Sequence, residues 1–132
     1  MMKNIHLNRD IAQLILLQRI ELLTPFLKRV RKILGRHFFT NFVSKYFISP
    51  KLIGRKYVES MMSEYKLLSA NLNFDNKVIL SIGSGMCGLE LIINSQSKNC
   101  FFSIIEKNYI SKKVTYGWDN KNKEAYNNLK LL

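Results

Sequence analysis

The chain has 132 residues, of which 47% are hydrophobic; this suits one cored domain and excludes a disordered tail. Its net charge of +12 is uneven, because residues 1–73 hold thirteen Lys and Arg against four acids while the remainder holds eight Lys against five. This bias indicates attraction to nucleic acid, anionic lipid or an acidic substrate, and an AT-rich coding sequence would explain it equally well.

The cysteine content and the hydropathy pattern bear on location. Cys87 and Cys100 are too few for a disulfide framework, and neither has a metal-ligand spacing. The longest apolar runs are far shorter than the ~20 residues that cross a bilayer, and residues 1–10 lack the pattern of a secretory signal. We therefore expect a reduced, cytoplasmic protein with no transmembrane segment.

The first half of the chain is predicted to be helical. Apolar residues recur at steps of three and four over 11–23, which predicts a first helix. Thr24-Pro25 combines an N-cap residue with proline at the first helical position, and Gly35 is placed to end the helix that follows.

Two further helices are predicted before residue 73. The aromatic segment at about 38–47 has a helical pattern, and Ser49-Pro50 repeats the cap-plus-proline signal. The helix that this signal opens extends to about residue 70, with an apolar stripe of methionine and tyrosine typical of core packing. Residues 1–73 are thus predicted to form a basic helical region.

The pattern changes in the second half. A polar stretch at 71–76 resembles a linker, and the segments after it alternate between strand and helix. The predicted segments are a strand at 77–82, a helix at 89–93, a strand at 100–105 and a helix at 121–132. This alternation is typical of a parallel sheet.

A glycine-rich string, G-x-G-x-x-G, occupies Gly83 to Gly88 between the predicted strand and helix. Glycine at 83 permits a tight turn, and glycine at 85 lets the backbone approach a ligand. A small residue at 88 is expected to let the helix pack closely on the strand. We expect the helix to begin near Met86 and to present unpaired backbone N–H groups to an anionic or carboxylate group.

Glu106 follows the second predicted strand, eighteen residues beyond Gly88. This is near the offset of about 20 residues at which an acid meets the ribose hydroxyls of a nucleotide-like ligand. Nicotinamide dinucleotides and S-adenosylmethionine both fit this spacing, and a simple strand-end cap is the plain alternative.

Four stretches carry a family resemblance: 78–85, 104–107, 116–118 and 124–129. Together they resemble class I (Rossmann-fold) S-adenosylmethionine-dependent methyltransferases, especially those acting on small molecules and sugars. The resemblance covers about 78–132 and implies an α/β fold, in which the helical region 1–73 precedes the first βαβα of a Rossmann-like parallel sheet in 74–132.

The resemblance also implies a cofactor site. Gly83, Ser84, Gly85 and Met86 would line the methionine portion of S-adenosylmethionine. Glu106 would hold the ribose, and the backbone of Lys107 would lie near the adenosine. No catalytic residue and no metal ligand is predicted.

Two positions depart from the family pattern. Ser81 stands where many members have an acid that helps to organise the methionine end of the site. Cys87 stands where many have a third glycine; it fits the turn if its φ is negative, with Gly88 supplying the flexibility.

The family's sheet has seven strands, whereas this sequence supplies two. We therefore expect a truncated fragment that is inactive alone and forms a homo-oligomer through the incomplete sheet, since an unpaired strand edge invites pairing. The alternatives are a half that needs a partner and a small domain whose N-terminal helices cover the exposed sheet.

The predicted function is the S-adenosylmethionine-binding portion of a methyltransferase whose acceptor is a small molecule such as a sugar. One alternative is a fragment of a nicotinamide-dependent oxidoreductase, and another is a non-catalytic interaction protein. A third is a nucleic-acid-binding module or RNA methyltransferase, with a steep salt dependence of binding. The basic residues for that third alternative are Lys28–Lys32, Arg36, Lys51, Arg55 and Lys56.

Overall fold

The computed structural model describes residues 7–106, apart from the side chains of His37 and Asn41. These residues form a mixed α/β structure that is mostly helical. The helices are α1 (Arg9–Gln18), α2 (Pro25–Leu34), α3 (Arg36–Phe38), α4 (Lys45–Phe47), α5 (Pro50–Ser69) and α6 (Gly88–Gln96), with a 3-10 turn at Ile20–Leu22, a π-helical turn at Phe39–Ser44, and strands β1 (Val78–Ile82) and β2 (Phe101–Ile105). The predicted helix at 121–132 lies outside the described residues.

Local capping explains where the first helices begin and end. The Asn8 side chain accepts a hydrogen bond from the backbone N–H of Ile11 at 2.8 Å, and Thr24 accepts one from Leu27 at 3.3 Å. Gly35 ends α2 at a φ of +78°, as predicted. The first helix ends earlier than predicted, at Gln18, and the 3-10 turn continues the chain.

The segment between α3 and α4 departs from α-helical geometry. The π-helical turn and the start of α4 are anchored to α1 by side chains that donate to their backbone carbonyls. Gln13 Nε2 donates to the carbonyl of Thr40 at 3.2 Å, and Arg9 Nη1 donates to that of Lys45 at 2.9 Å. These bonds tie the irregular segment to α1.

The hydrophobic core joins the two regions that the sequence separates at residue 73. Side chains from α1, α5 and α6 pack in one cluster, and α5 lies directly against α6. The buried members are Ala12, Ile15, Leu16, Leu22, Leu23, Phe39, Ile53, Tyr57, Met61, Met86 and Ile92. The helical region therefore covers α6 and does not form a separate core.

The two strands are parallel, as predicted, with Val78 paired to Phe101 and Ile82 to Ile105. One face of the sheet is turned toward α6, because Ser81 hydrogen-bonds Glu90 of that helix. The other face leaves the side chains of Val78, Leu80 and Ile82 exposed. Within residues 7–106 β1 pairs with β2 alone, so the predicted homo-oligomer stays a prediction.

None of the helices within residues 7–106 combines the length and the apolar character that crossing a membrane requires.

Candidate functional site

The glycine loop connects β1 to α6 through three residues with positive φ. Gly83 and Gly85 have φ values of +70° and +62°, which glycine adopts without steric cost. The N–H of Gly83 donates to the carbonyl of Ile105 at 2.9 Å and so extends the ladder between the strands. The loop is therefore held at the carboxyl end of the sheet, where ligands of parallel α/β proteins bind.

Cys87 also has a positive φ, of +52°. A negative φ, the condition on which Cys87 was expected to fit the turn, is not met, because the helix begins at Gly88 and Cys87 takes the left-handed conformation before it. Such a conformation costs a residue with a Cβ roughly 1–2 kcal/mol. The Ser84 hydroxyl lies 3.2 Å from the Cys87 sulfur and the N–H of Cys87 donates to the Ser84 carbonyl at 3.1 Å, which holds the turn closed.

Glu106 reaches the glycine loop from the end of β2. The N–H of Gly85 donates to its Oε2 at 2.7 Å, and the hydroxyl of Ser84 lies 3.5 Å from the same atom. Charge-assisted bonds of this length are stronger than neutral ones. The fold thus brings together Gly83, Ser84, Gly85 and Glu106, which the sequence predicted as one site.

The other two predicted cofactor-binding residues are placed differently. Met86 directs its side chain into the hydrophobic core, so only its backbone borders the loop. Lys107 lies outside the described residues.

A second carboxylate, from Glu90 in the first turn of α6, lies beside the loop. Ser81 of β1 donates its hydroxyl to Glu90 Oε1. The other oxygen, Oε2, is buried and has no hydrogen-bond partner within the described part of the chain. Glu90 therefore places a carboxylate beside Ser81, where the sequence indicated that an acid had been lost. The location of Glu90 in the first turn of a helix is the sequence signal that could have identified it.

Two residues of the helical region cover the loop, and the sequence did not predict either contact. A Cβ added at Gly85 would lie 2.7 Å from Gln18 Oε1, so the side chain of Gln18, at the end of α1, lies directly over Gly85. A Cβ at Gly88 would overlap the ring and hydroxyl of Tyr57. The third glycine thus serves packing between α5 and α6, whereas the sequence predicted packing of α6 on the strand.

Tyr57 also changes the electrostatics at the start of α6. Burial raises the pKa of its hydroxyl, and the positive charge of Arg19 and the backbone N–H of Gly88 partly offset this. The phenol is therefore neutral at neutral pH. It accepts a hydrogen bond from the Gly88 N–H, which is then not available to an anion. The N–H groups of Gly85 and Cys87 also have partners within the protein, Glu106 and the Ser84 carbonyl, so the prediction of unpaired N–H groups does not hold for Cys87.

Arg19 links this corner to α5. Its guanidinium Nη1 lies 2.5 Å from Glu64 Oε1 and 3.3 Å from Glu21 Oε1. The hydrogen bond to Glu64 is the main reason that the pKa of Arg19 is raised. The arginine therefore remains charged and fixes the end of α1 beside the loop.

Within residues 7–106 no group of three or more His, Cys, Asp or Glu could hold a metal ion. A shallow cleft of about 240 Å³ lies at the opposite end of the strands from the glycine loop. Its lining residues are Tyr65, Ser69, Leu72, Asn73, Phe74, Asp75, Gln96 and Ser97.

The chain was compared with models of known protein families, with curated proteins and with solved structures, and no match was found in any of the three.

Proposed function

We propose that this chain is the S-adenosylmethionine-binding portion of a class I methyltransferase with a Rossmann-like sheet, acting on a small molecule such as a sugar. One observation carries the proposal: the Glu106 carboxylate accepts a hydrogen bond from the N–H of Gly85 at 2.7 Å. A glycine loop and an acid twenty-one residues apart thus meet at the carboxyl end of two parallel strands, as the dinucleotide-binding arrangement requires.

Each end of the site has residues that suit a part of this cofactor. Glu106 can accept hydrogen bonds from two vicinal ribose hydroxyls, and the backbone at Gly83 and Gly85 can approach the methionine portion. A Cβ at Gly83 would meet nothing within 4 Å, so that part of the loop has room for a ligand. The placement of Lys107 near the adenosine rests on the family resemblance alone.

The carboxylate of Glu90, whose Oε2 is buried, suits the amino group of the methionine portion. Its Oε2 has no partner within residues 7–106, and an unpaired buried acceptor is costly. An ammonium group that reached it would remove this cost. The departure at Ser81 is therefore compatible with the proposal, because Ser81 holds Glu90 in place.

Ligand binding also requires a movement of Gln18. Its amide lies over Gly85, where the backbone is expected to approach the ligand. Rotation of this flexible side chain would open the loop without moving α1. The cofactor supplies an electrophilic methyl group, and the protein's part is to bind it, orient it and exclude water.

Titration calorimetry tests the proposal with S-adenosylhomocysteine and with NADH as ligands. We expect binding of S-adenosylhomocysteine and no binding of NADH. The reverse result would assign the loop to a nicotinamide-dependent oxidoreductase, and binding of neither would leave a non-catalytic interaction protein.

Glu106→Gln sharpens the test, because glutamine keeps one acceptor for the Gly85 N–H but loses the charge. We expect binding to weaken by about 1–3 kcal/mol, as for the loss of hydrogen bonds to a charged group. Glu59→Gln, on the exposed side of α5, is the matched control and should leave the affinity unchanged. An unchanged affinity in Glu106→Gln would remove Glu106 from the site.

A further inference from the structure

The basic charge of the helical region is concentrated in one stretch without acids. Residues 22–58 contain nine Lys and Arg and no Asp or Glu. Helix α2 lies within this stretch and carries Lys28, Arg29, Arg31 and Lys32. Of these, Lys28, Arg29 and Lys32 are exposed and form no ion pair within the described residues.

Apolar side chains on α2 protrude beside these charges. With about 3.6 residues per turn, Phe26, Arg29 and Ile33 fall on one side of the helix. Val30 and its neighbour Leu27 pack on the core, but Phe26 and Ile33 are 72% and 83% exposed. Arg29 lies between the latter two, three residues after Phe26 and four before Ile33.

The segment packed beside α2 adds four exposed aromatic side chains, Phe38, Phe42, Tyr46 and Phe47. Their rings contact one another, with centroids 5.5 Å apart for Phe38 and Phe42 and 5.4 Å for Phe42 and Tyr46. The ammonium group of Lys45 lies over the Tyr46 ring at 5.8 Å. Aromatic and basic side chains are thus interleaved here as well.

We propose that the α2 outer face, formed by Phe26, Arg29, Lys32 and Ile33, docks on an anionic lipid bilayer. A helix with Lys and Arg on one side and exposed Phe and Ile beside them lies in the headgroup region, where the apolar side chains are buried and the cations meet lipid phosphates. This goes beyond cofactor binding and does not depend on it.

Charge excludes the occupants that this chain itself could supply. A second copy of the same face would place like charges opposite each other, which is destabilising. The segment 107–132 is also net positive, with six Lys against two acids. A partner of opposite charge is required, and complementarity therefore favours an anionic surface.

The apolar residues favour lipid over nucleic acid. Single-stranded nucleic acid binds through several aromatic rings that are open to stacking, whereas the α2 outer face has one ring, that of Phe26, and the exposed rings of 38–47 contact one another. An isoleucine 83% exposed beside Arg29 adds nothing to a phosphate contact but gains from insertion among acyl chains.

The test is co-sedimentation of the full chain with vesicles of pure phosphatidylcholine and of a phosphatidylcholine–phosphatidylglycerol mixture. We expect binding to the mixture alone, and its loss at about 1 M salt, where the Debye length is about 3 Å. Equal binding to both vesicles, or binding to neither, would overturn the proposal without any variant.

Two double variants identify the face. Arg29→Glu with Lys32→Glu should reduce partitioning at least tenfold, since each basic residue near such a surface is worth about fivefold. Phe26→Ser with Ile33→Ser should do the same, while Lys66→Glu with Leu67→Ser, exposed on α5, should leave partitioning within about twofold. Circular dichroism confirms that each variant is folded, as expected at exposed positions.

Two results would assign the face to another partner and so contradict the proposal. One is binding of single-stranded RNA that the Phe26 and Ile33 changes leave intact while vesicle binding is absent. The other is an oligomer in vesicle-free solution that these same changes dissociate.

Discussion

The helical region and the sheet use similar apolar residues with opposite outcomes. Ile15 of α1 is fully buried in the core, whereas Ile82 of β1 is 73% exposed. Each helix has a single apolar stripe that one neighbour can cover, but a sheet has two faces, and α6 covers one of them. Whether an apolar residue is buried therefore depends on how many neighbouring elements its helix or strand needs to cover it. The apolar pattern of the sequence does not show that number.

The largest expected effect tests this contrast directly. Ile15→Ala should lower the free energy of unfolding by about 2–5 kcal/mol, because it leaves a cavity in the shared core. Ile82→Ala should change it by no more than about 0.5 kcal/mol, as for other exposed positions. Urea denaturation followed by circular dichroism measures both. A large loss at Ile82 would mean that the outer face of the sheet is covered in solution.

The next effect concerns the contact that joins the two regions. Gly88→Ala should cost about 1–3 kcal/mol by overpacking, because the new methyl group overlaps Tyr57. In combination with Tyr57→Leu the cost should be smaller than the sum of the single costs, since both changes act on one contact.

The matched control for this comparison of single and double variants is Gly83→Ala. It introduces backbone strain at a φ of +70° but meets no atom within 4 Å, so its cost should simply add to that of Tyr57→Leu. If the costs of Gly88→Ala and Tyr57→Leu were additive as well, Tyr57 of α5 would not be in tight contact with the start of α6.

The smallest effect is a pH dependence at the same contact. Burial raises the pKa of Tyr57 in the folded chain, so its contribution to stability is complete below the ordinary tyrosine pKa of about 10. That contribution is lost as the pH rises through the raised value. Unfolding curves across the alkaline range should therefore show a steeper loss in the wild type than in Tyr57→Phe, and parallel curves would contradict the raised pKa.

Local signals predicted much of the fold. Thr24-Pro25 and Gly35 mark the start and end of α2 because capping and proline geometry act within a few residues. Ser49 makes no capping bond through its side chain, yet α5 begins where predicted, since Pro50 alone suits the first helical position. The parallel pairing of the strands likewise follows from their separation by a helix.

The parts that were missed depend on contacts between distant residues. Gln18 lies over Gly85 and Tyr57 over Gly88 because α1 packs on α5 and α5 packs on α6, and no local pattern encodes these contacts. The positive φ of Cys87 follows from where α6 begins, a boundary that sequence patterns locate poorly. In the candidate site, the approach of Glu106 to the loop was predictable from spacing, whereas the covering residues were not.

The π-helical turn at Phe39–Ser44 has a consequence for how the chain tolerates changes of length. Each hydrogen-bonded loop of a π-helix spans one residue more than that of an α-helix. A one-residue deletion inside this turn could therefore be absorbed by conversion to ordinary α-helix, with α1 and α5 left in register. The same deletion inside α5 before Tyr57 would rotate every later side chain by about 100° and carry Tyr57 away from Gly88. Variation in length should accordingly be tolerated between α2 and α5 and excluded from α5 itself.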